Sequence, residues 1–224
     1  MLKISKVEVF GWEAAIRGMR NPLESWDKSD SEFDIGVYSG FEAGDNDLSL
    51  MKKLGNAGPD HGKYLRMINV TLDITAPLYW WKEFDTYKVG TVANSCSTMH
   101  KIHAKPFELD DFSHEHLMTS HSDSFPITDL YDGYVSSPLG ILNNTIHVLN
   151  LCREKFLETK DKRYWWQLIQ LLPSSYNQLR TVQLNYQVLK SMYHARKNHK
   201  LDEWREFCEW IKTLPYSELI TGEE

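Results

Sequence analysis

Alternating apolar and polar positions give the clearest local pattern in this chain. Residues 3–10 alternate, and every second residue from Ile68 to Ile74 is apolar while the residues between them are polar. A period of two is typical of a strand with one buried face. We therefore predict strands at residues 3–10 and 68–74.

Apolar residues at intervals of three and four predict helices over much of the remaining chain. One helix is predicted from a cap at Asp45 or Asn46 to Gly55. Thr75 is expected to cap the next helix, with Pro77 in its first turn, where the missing N–H costs little. Four further helices are predicted at 141–159, 161–171, 174–197 and 201–213.

The predicted helix 174–197, which follows Leu172-Pro173, has an unusual distribution of polar residues. Asn185 and Arg196 are 11 residues apart, and 11 steps of about 100° return to within roughly 20° of the starting direction. Both side chains are therefore expected on one helix face, with Leu189 and Met192 between them. Such a face suits a long amphipathic ligand. The alternatives are an exposed polar face and a buried structural pair.

These elements predict an α+β protein with a small antiparallel or mixed sheet and several helices. The length of 224 residues favours a single domain spanning 1–224. Residues 21–45 and 101–140 are polar and irregular, and we interpret them as loop insertions within that domain.

Composition and charge limit the class of partner. The formal net charge is -6 and there is no basic block, so duplex nucleic acid is not an expected partner. No apolar run has the length of a membrane span, the N-terminus does not resemble a signal peptide, and three scattered cysteines favour a reducing compartment. We therefore expect a cytoplasmic protein without a membrane partner. A small anionic ligand fits, because a local pocket can be positive on an acidic protein.

Histidines are concentrated between residues 100 and 121. His100 and His103 are spaced i, i+3, which can place both on one helix face as zinc ligands. Short histidine patterns produce many false matches, so we interpret the stretch as a polar surface and predict no metal site. The histidines of this stretch are His100, His103, His114, His116 and His121.

Two segments together resemble the flavin-dependent thymidylate synthase family. Residues 76–81 (Ala-Pro-Leu-Tyr-Trp-Trp) and 94–97 (Asn-Ser-Cys-Ser) resemble the end of the family's strand, its helix and its signature loop. The stretch from Leu172-Pro173 to Arg196 has the family's spacing from Leu-Pro to an Asn and then to an Arg. The resemblance covers most of the chain in order, apart from residues 21–45 and 101–140.

This resemblance implies a homotetramer that transfers a methylene group from a folate to carbon 5 of deoxyuridine monophosphate and reduces it with a hydride from FAD. Reduced folate and NADPH are implied only if that reaction is retained. The implied flavin contacts are His61, Asn94 and Asn185. The implied nucleotide contacts are Arg196, Ser97, Thr91, Lys88 and Arg20. No catalytic residue is assigned.

The signature loop departs from the family at its cations. The family's Arg-His-Arg is here Thr86-Tyr87-Lys88, and Met99 and Ile169 stand where the family has arginines. Threonine and methionine cannot form the bidentate contacts of arginine with phosphate. Two functions follow: a divergent flavin-dependent methylase of a pyrimidine nucleotide, or a degenerate protein that sequesters or senses a nucleotide. An oligomeric scaffold without a small ligand is a third alternative.

Overall fold

A computed structural model describes residues 2–33, 40–119 and 137–222. The chain forms two compact units, and each is assembled from stretches that are separate in sequence. The first unit contains Thr75–Lys82 and Ser95–Leu179. The second unit contains Leu2–Ile74, Glu83–Asn94 and Arg180–Glu224. Parts of the predicted insertions, 21–45 and 101–140, lie outside the described residues.

The strands form two sheets. In chain order they are β1 (Lys3–Phe10), β2 (Glu32–Phe33), β3 (Phe41–Glu42), β4 (Asn69–Pro77), β5 (Val92–Ser95) and β6 (Asn177–Asn185). A four-stranded sheet has the order β1-β4-β6-β5, and β2 pairs with β3 in a two-stranded antiparallel sheet. The predicted strands at 3–10 and 68–74 are confirmed, whereas the other strands were not predicted from the sequence.

Helices account for most of the remaining elements. In chain order they are α1 (Trp12–Arg20), α2 (Asp45–Asn56), α3 (Leu78–Phe84), α4 (Pro138–Thr159), α5 (Lys162–Leu171), α6 (Tyr186–Arg196), α7 (Asp202–Ile211) and α8 (Glu218–Thr221). A 3-10 helix, Gly62–Arg66, precedes β4. The combination of these helices with a small sheet confirms the predicted α+β class. Within the described stretches, none of the helices combines the length and the apolar content that crossing a membrane requires.

A buried apolar cluster forms the core of the first unit. α4 packs along α5, and both helices contribute side chains to it. Each helix has a polar cap: Ser137 Oγ accepts from the N–H of Gly140 at 3.0 Å, and Asp161 Oδ1 accepts from the N–H of Arg163 at 2.8 Å. The buried members of the cluster are Ile102, Phe107, Phe112, Leu142, Ile146, Leu149 and Leu168.

In the second unit, β4 and α6 supply much of the core. Val70, Leu72 and Ile74 are fully buried, while the residues between them are half-buried, as the period of two predicts. α6 packs against α7, α8 and the 3-10 helix Gly62–Arg66. The chain that enters β4 is thereby held beside α6.

The predicted helix at 174–197 is wrong in its first half. Asn177–Asn185 form β6, and α6 begins only at Tyr186. Val182 and Leu184 are fully buried, whereas the residue between them is exposed. This is the alternation of a strand, so the helical pattern of α6 does not extend back through this stretch.

The helix start predicted at Thr75 and Pro77 is also wrong. Both residues belong to β4, and α3 begins at Leu78. Ala76 is fully buried, so the alternation of β4 continues past its predicted end at Ile74. Proline then ends the strand, because it has no N–H to donate to a neighbouring strand.

The N-terminus of α2 is capped from a distant part of the chain. Gly44 occupies the N-cap position that was predicted for Asp45 or Asn46. The carboxylate of Asp30 accepts hydrogen bonds from the N–H groups of Asn46 at 2.9 Å and Asp47 at 3.0 Å. A carboxylate at a helix N-terminus is favoured by the helix dipole. The segment around Asp30 is therefore tied to the first turn of α2.

Arg20 and Asp47 form a buried ion pair that links the end of α1 to the start of α2. Arg20 Nε donates to Asp47 Oδ1 at 2.6 Å, and the two side chains are only 4% and 0% exposed. Asp47 Oδ2 accepts from the hydroxyls of Ser29 at 2.8 Å and Ser31 at 2.7 Å. Buried charges are tolerated when such hydrogen bonds satisfy them.

Candidate functional site

A cavity of about 510 Å³ opens in the second unit at the start of α6. Its volume lies in the range of small-molecule sites, and its lining combines apolar residues with several polar ones. Two residues predicted as ligand contacts, Lys88 and Asn185, lie in its lining, which contains no Asp or Glu among the described residues. The lining residues are Pro59, Arg66, Thr86, Tyr87, Lys88, Val89, Gly90, Asn185, Gln187, Val188 and Ser191.

Residues 86–90 form the wall of the cavity that follows α3. Thr86 Oγ1 donates to the carbonyl of Glu83 at 2.7 Å, which anchors the turn to the end of the helix. Gly90 has φ +79°, and a Cβ at this position would lie 2.9 Å from Asn185 Nδ2. Glycine is required here for its left-handed conformation and for this close approach.

We expect Gly90→Ala to lower the free energy of unfolding by about 1–3 kcal/mol, because it adds left-handed strain and displaces a helix cap. Gly222→Ala is the matched control, since Gly222 has φ +71° and a Cβ added there would have no described atom within 4 Å. Urea denaturation of both variants measures the difference. Equal losses would show that the contact with Asn185 contributes nothing.

Asn185 is the N-cap of α6 and also part of the cavity wall. Its Oδ1 accepts from the N–H of Val188 at 3.0 Å, and the residue is 9% exposed. Its Nδ2 has no hydrogen-bond partner among the described residues. The same side chain therefore begins the helix and leaves an amide donor for a ligand.

Asn185 and Arg196 were predicted to lie on one helix face that could hold an amphipathic ligand, and the structure does not support that interpretation. Asn185 precedes α6 and Arg196 ends it. Leu189 and Met192, the apolar residues between them, are fully buried. The apolar middle of this face is therefore core, and it does not form a continuous surface for an amphipathic ligand.

Arg196 is held by a cluster of side chains within the second unit. Its Nη1 donates to Glu83 Oε2 at 2.8 Å, and its Nε donates to the Tyr87 hydroxyl at 3.0 Å. The guanidinium carbon lies 4.9 Å from the Trp204 ring centroid. Trp204 Nε1 donates to the same Glu83 oxygen at 3.0 Å, and His199 Nε2 lies 3.4 Å from it. Arg196 is absent from the cavity lining, whereas its partner Tyr87 is present.

Arg20 and His61, two further predicted contacts, also lie outside the cavity lining. Arg20 is 3% exposed, and besides Asp47 it donates to the carbonyls of Ser25 at 3.1 Å and Lys28 at 2.9 Å. His61 is exposed at the N-cap of the 3-10 helix. The guanidinium of Arg20 is therefore occupied by the fold, while the imidazole of His61 faces solvent.

The remaining predicted contacts come from the signature loop. Thr91 follows Gly90, and its buried hydroxyl has no hydrogen-bond partner among the described residues. Asn94 is exposed on β5. Ser97 belongs to the first unit, where its Oγ accepts from the N–H groups of Met99 at 3.2 Å and His100 at 2.8 Å. The Ser97 hydroxyl therefore stabilises a local turn.

The cavity residues that were not predicted as contacts from the sequence include Arg66, Gln187 and Ser191. Gln187 and Ser191 follow Asn185 by two and six residues, so a correct start for α6 would have placed them near its first turns. Arg66 has no comparable signal, because only the packing of the 3-10 helix against α6 brings it to the cavity.

The histidine stretch forms no metal centre within the described residues: no group of three or more His, Cys, Asp or Glu is placed to hold an ion. His114 Nδ1 lies 2.8 Å from the carbonyl oxygen of Phe112. The His103 ring packs edge-on against Phe156, with centroids 4.9 Å apart. His121 lies outside the described residues.

Comparison with solved structures identifies the fold. Thymidylate Synthase X (ThyX) from Helicobacter pylori, crystallised with FAD and dUMP, superposes with a TM-score of 0.67 at 14% identity, covering 100% of this chain and 98% of that one. A second ThyX structure from that organism, described as flavin dependent, has a TM-score of 0.63 at 14% identity and covers 98% of each chain. The chain has a ThyX-like fold.

A related fold match comes from a nucleotide methylase. The UMP/dUMP methylase PolB from Streptomyces cacaoi, bound with 5-Br dUMP, has a TM-score of 0.61 at 13% identity, covering 99% of this chain and 94% of that one. No family model and no curated protein sequence matches the chain. The ThyX-like fold is thus shared at an identity too low to transfer an activity.

Proposed function

We propose that this protein is a divergent flavin-dependent methylase that acts on a pyrimidine nucleotide, with the cavity at the start of α6 as part of its ligand site. The observation that carries the proposal is the lining of this cavity, which combines Lys88 with the Asn185 amide and contains no carboxylate among the described residues. The ThyX-like fold supports it, because neighbours with that fold were crystallised with FAD and dUMP or with 5-Br dUMP.

The cavity lining is chemically suited to part of FAD or of a nucleotide. Both ligands carry phosphate, which favours cations without competing carboxylates, and both carry rings with amide-like edges, which favour donors such as Asn185 Nδ2. When bound, FAD would supply the hydride that reduces the transferred carbon. Reduced folate and NADPH would be required as the carbon source and the reductant if the reaction is the one that the resemblance implies.

The predicted contacts take different parts in this proposal. Lys88 and Asn185 would touch the ligand directly, because both line the cavity. Arg196 would act through Tyr87, to which it donates a hydrogen bond. Thr91, whose buried hydroxyl lacks a partner among the described residues, lies one residue beyond the lining residue Gly90, and a shift of the turn would bring it to a ligand. His61, Asn94 and Ser97 remain proposed contacts of a cytoplasmic homotetramer.

The absorption spectrum of the purified protein tests this proposal. We expect bound or added FAD to give a flavin spectrum, and dUMP or UMP to perturb it, because the nucleotide would bind beside the flavin. A protein that is colourless and gains no affinity for added FAD would contradict the enzyme proposal. Lys53→Ala, at an exposed lysine of α2 outside the cavity lining, is the control for nonspecific loss of binding.

A degenerate nucleotide-binding protein is the second candidate. It is favoured by Thr86-Tyr87-Lys88, which retains one cation where the family has Arg-His-Arg, and by the engagement of Arg196 with Glu83. Calorimetry with a nucleotide panel separates the candidates. Nucleotide binding without any flavin binding would support sequestration or sensing, whereas flavin binding with a nucleotide response supports the enzyme.

A further inference from the structure

Arg66 and Lys88 are two cations that line the same cavity. Arg66 is the last residue of the 3-10 helix Gly62–Arg66, and Lys88 lies in the turn after α3. Both are exposed at the cavity. Neither forms a hydrogen bond or an ion pair with any described residue. Their side chains are therefore available to a ligand.

The surroundings of these cations differ from those of other arginines in the chain. Arg20, Arg180 and Arg196 each form an ion pair with a carboxylate. Within the described part of the chain, the lining around Arg66 and Lys88 contains no carboxylate, although the whole chain has a net charge of -6. Two like charges that share a cavity raise each other's energy, and an anion bound between them removes that cost.

We propose that Arg66 and Lys88 together bind a phosphoryl group of the ligand, with Arg66 as the principal contact. Arginine presents a planar fork of N–H donors that matches phosphate oxygens, while lysine adds a compact charge. The side-chain amides of Asn185 and Gln187 supply neutral donors in the same lining. This inference rests on the proposed function for the identity of the ligand, which carries the phosphoryl group either as a nucleotide monophosphate or as the pyrophosphate of FAD.

Paired ligands isolate the phosphoryl contribution. Calorimetry compares dUMP with deoxyuridine, and FAD with riboflavin, for the unaltered protein and for Arg66→Ala and Lys88→Ala. We expect Arg66→Ala to weaken binding of the phosphorylated member of one pair by about 10- to 100-fold while leaving the unphosphorylated member within about twofold, as loss of a charged hydrogen bond predicts. The pair that responds identifies the source of the phosphoryl group.

Lys63→Ala is the matched control. Lys63 is an exposed cation on the same 3-10 helix, and it is absent from the cavity lining. It should change each affinity by less than about twofold, because an exposed charge outside the site is screened by salt. Circular dichroism should show that all three variants remain folded, since neither cavity cation has a described partner to lose.

The outcomes separate this inference from the proposed function. If dUMP or FAD binds the unaltered protein and Arg66→Ala weakens neither of them, the phosphoryl site is wrong and the proposed function stands. A different outcome is that neither dUMP nor FAD binds, whereas inorganic pyrophosphate binds and Arg66→Ala weakens its binding. The phosphoryl site then stands and the proposed function fails. If none of these probes binds, both are wrong.

Discussion

Asp47→Ala should lower the free energy of unfolding by about 3–5 kcal/mol, because it leaves the guanidinium of Arg20 buried without its counter-charge. The Asp47 side chain is 0% exposed and that of Arg20 is 4% exposed, so both charged groups are largely shielded from water. The loss also removes the acceptor for Ser29 and Ser31, which connect the segment before β2 to α2. Urea denaturation monitored by circular dichroism measures the change.

An exposed ion pair on the same helix as Arg20 supplies the control. Arg17 and Glu13 on α1 lie 3.4 Å apart, with side chains that are 65% and 69% exposed. Solvent screens such a pair, so Arg17→Ala should change stability by less than about 0.5 kcal/mol. Similar losses for Arg17→Ala and Asp47→Ala would contradict the importance of burial for the Arg20–Asp47 pair.

The same ion pair predicts how stability depends on pH. Burial by itself would raise the pKa of Asp47, but hydrogen bonds from Ser31, Ser29 and Arg20 outweigh it and hold the pKa below its usual value of 3.8. The unfolded chain therefore takes up the proton first as the pH falls. The contribution of Asp47 to stability is complete above about pH 5 and declines below the usual carboxyl pKa. Asp47→Asn should remove this part of the acid sensitivity.

Arg196→Ala should lower both stability and ligand affinity. The family resemblance implies that Arg196 contacts a nucleotide directly, and a residue with that role alone could be removed without loss of stability. The structure instead shows Arg196 bonded to Glu83 and Tyr87 and packed on Trp204. Loss of a charged hydrogen bond and a cation–π contact should cost about 2 kcal/mol. Affinity should fall because Tyr87 lines the cavity.

Two further variants show how Arg196 acts. Tyr87→Phe removes only the hydroxyl that accepts from Arg196 Nε, and it should retain most stability while it loosens the turn at the cavity. Lys197→Ala alters the next cation along the chain, which contacts Tyr193. Stability and affinity can be measured by denaturation and calorimetry on the same samples. Unchanged stability in Arg196→Ala together with lost binding would support direct contact with ligand.

The sequence predicts β4 because its side chains alternate between core and surface, so Ile68 through Ile74 indicate its position. β6 is harder to recognise, because its buried residues Val182 and Leu184 run directly into the apolar pattern of α6. Because the apolar pattern is continuous, it does not show where β6 ends and α6 begins. That boundary is set by Asn185, the N-cap of α6.

The sequence could predict only those residues of the candidate site that lie at positions marked by the family resemblance. Lys88 and Asn185 were predicted as ligand contacts because the resemblance marks their positions, and both line the cavity. Arg66 could not be found, since an arginine before a strand is unremarkable until the 3-10 helix packs on α6. The ion pairs of Arg20 and Arg196 depend on Asp47 and Glu83, and such distant pairings cannot be read from one sequence.

Arg66 and Lys88 can be substituted during evolution more freely than the charged residues of the core. Arg20 and Asp47 are constrained by folding, because altering either one would leave a buried charge. The two cavity cations, which have no partner among the described residues, bear no such constraint, so their charge can be reversed or lost at little cost to the folded state. Selection on ligand preference can therefore act on Arg66 and Lys88 almost independently of selection on folding, and directed evolution of new specificity would best begin at these two positions.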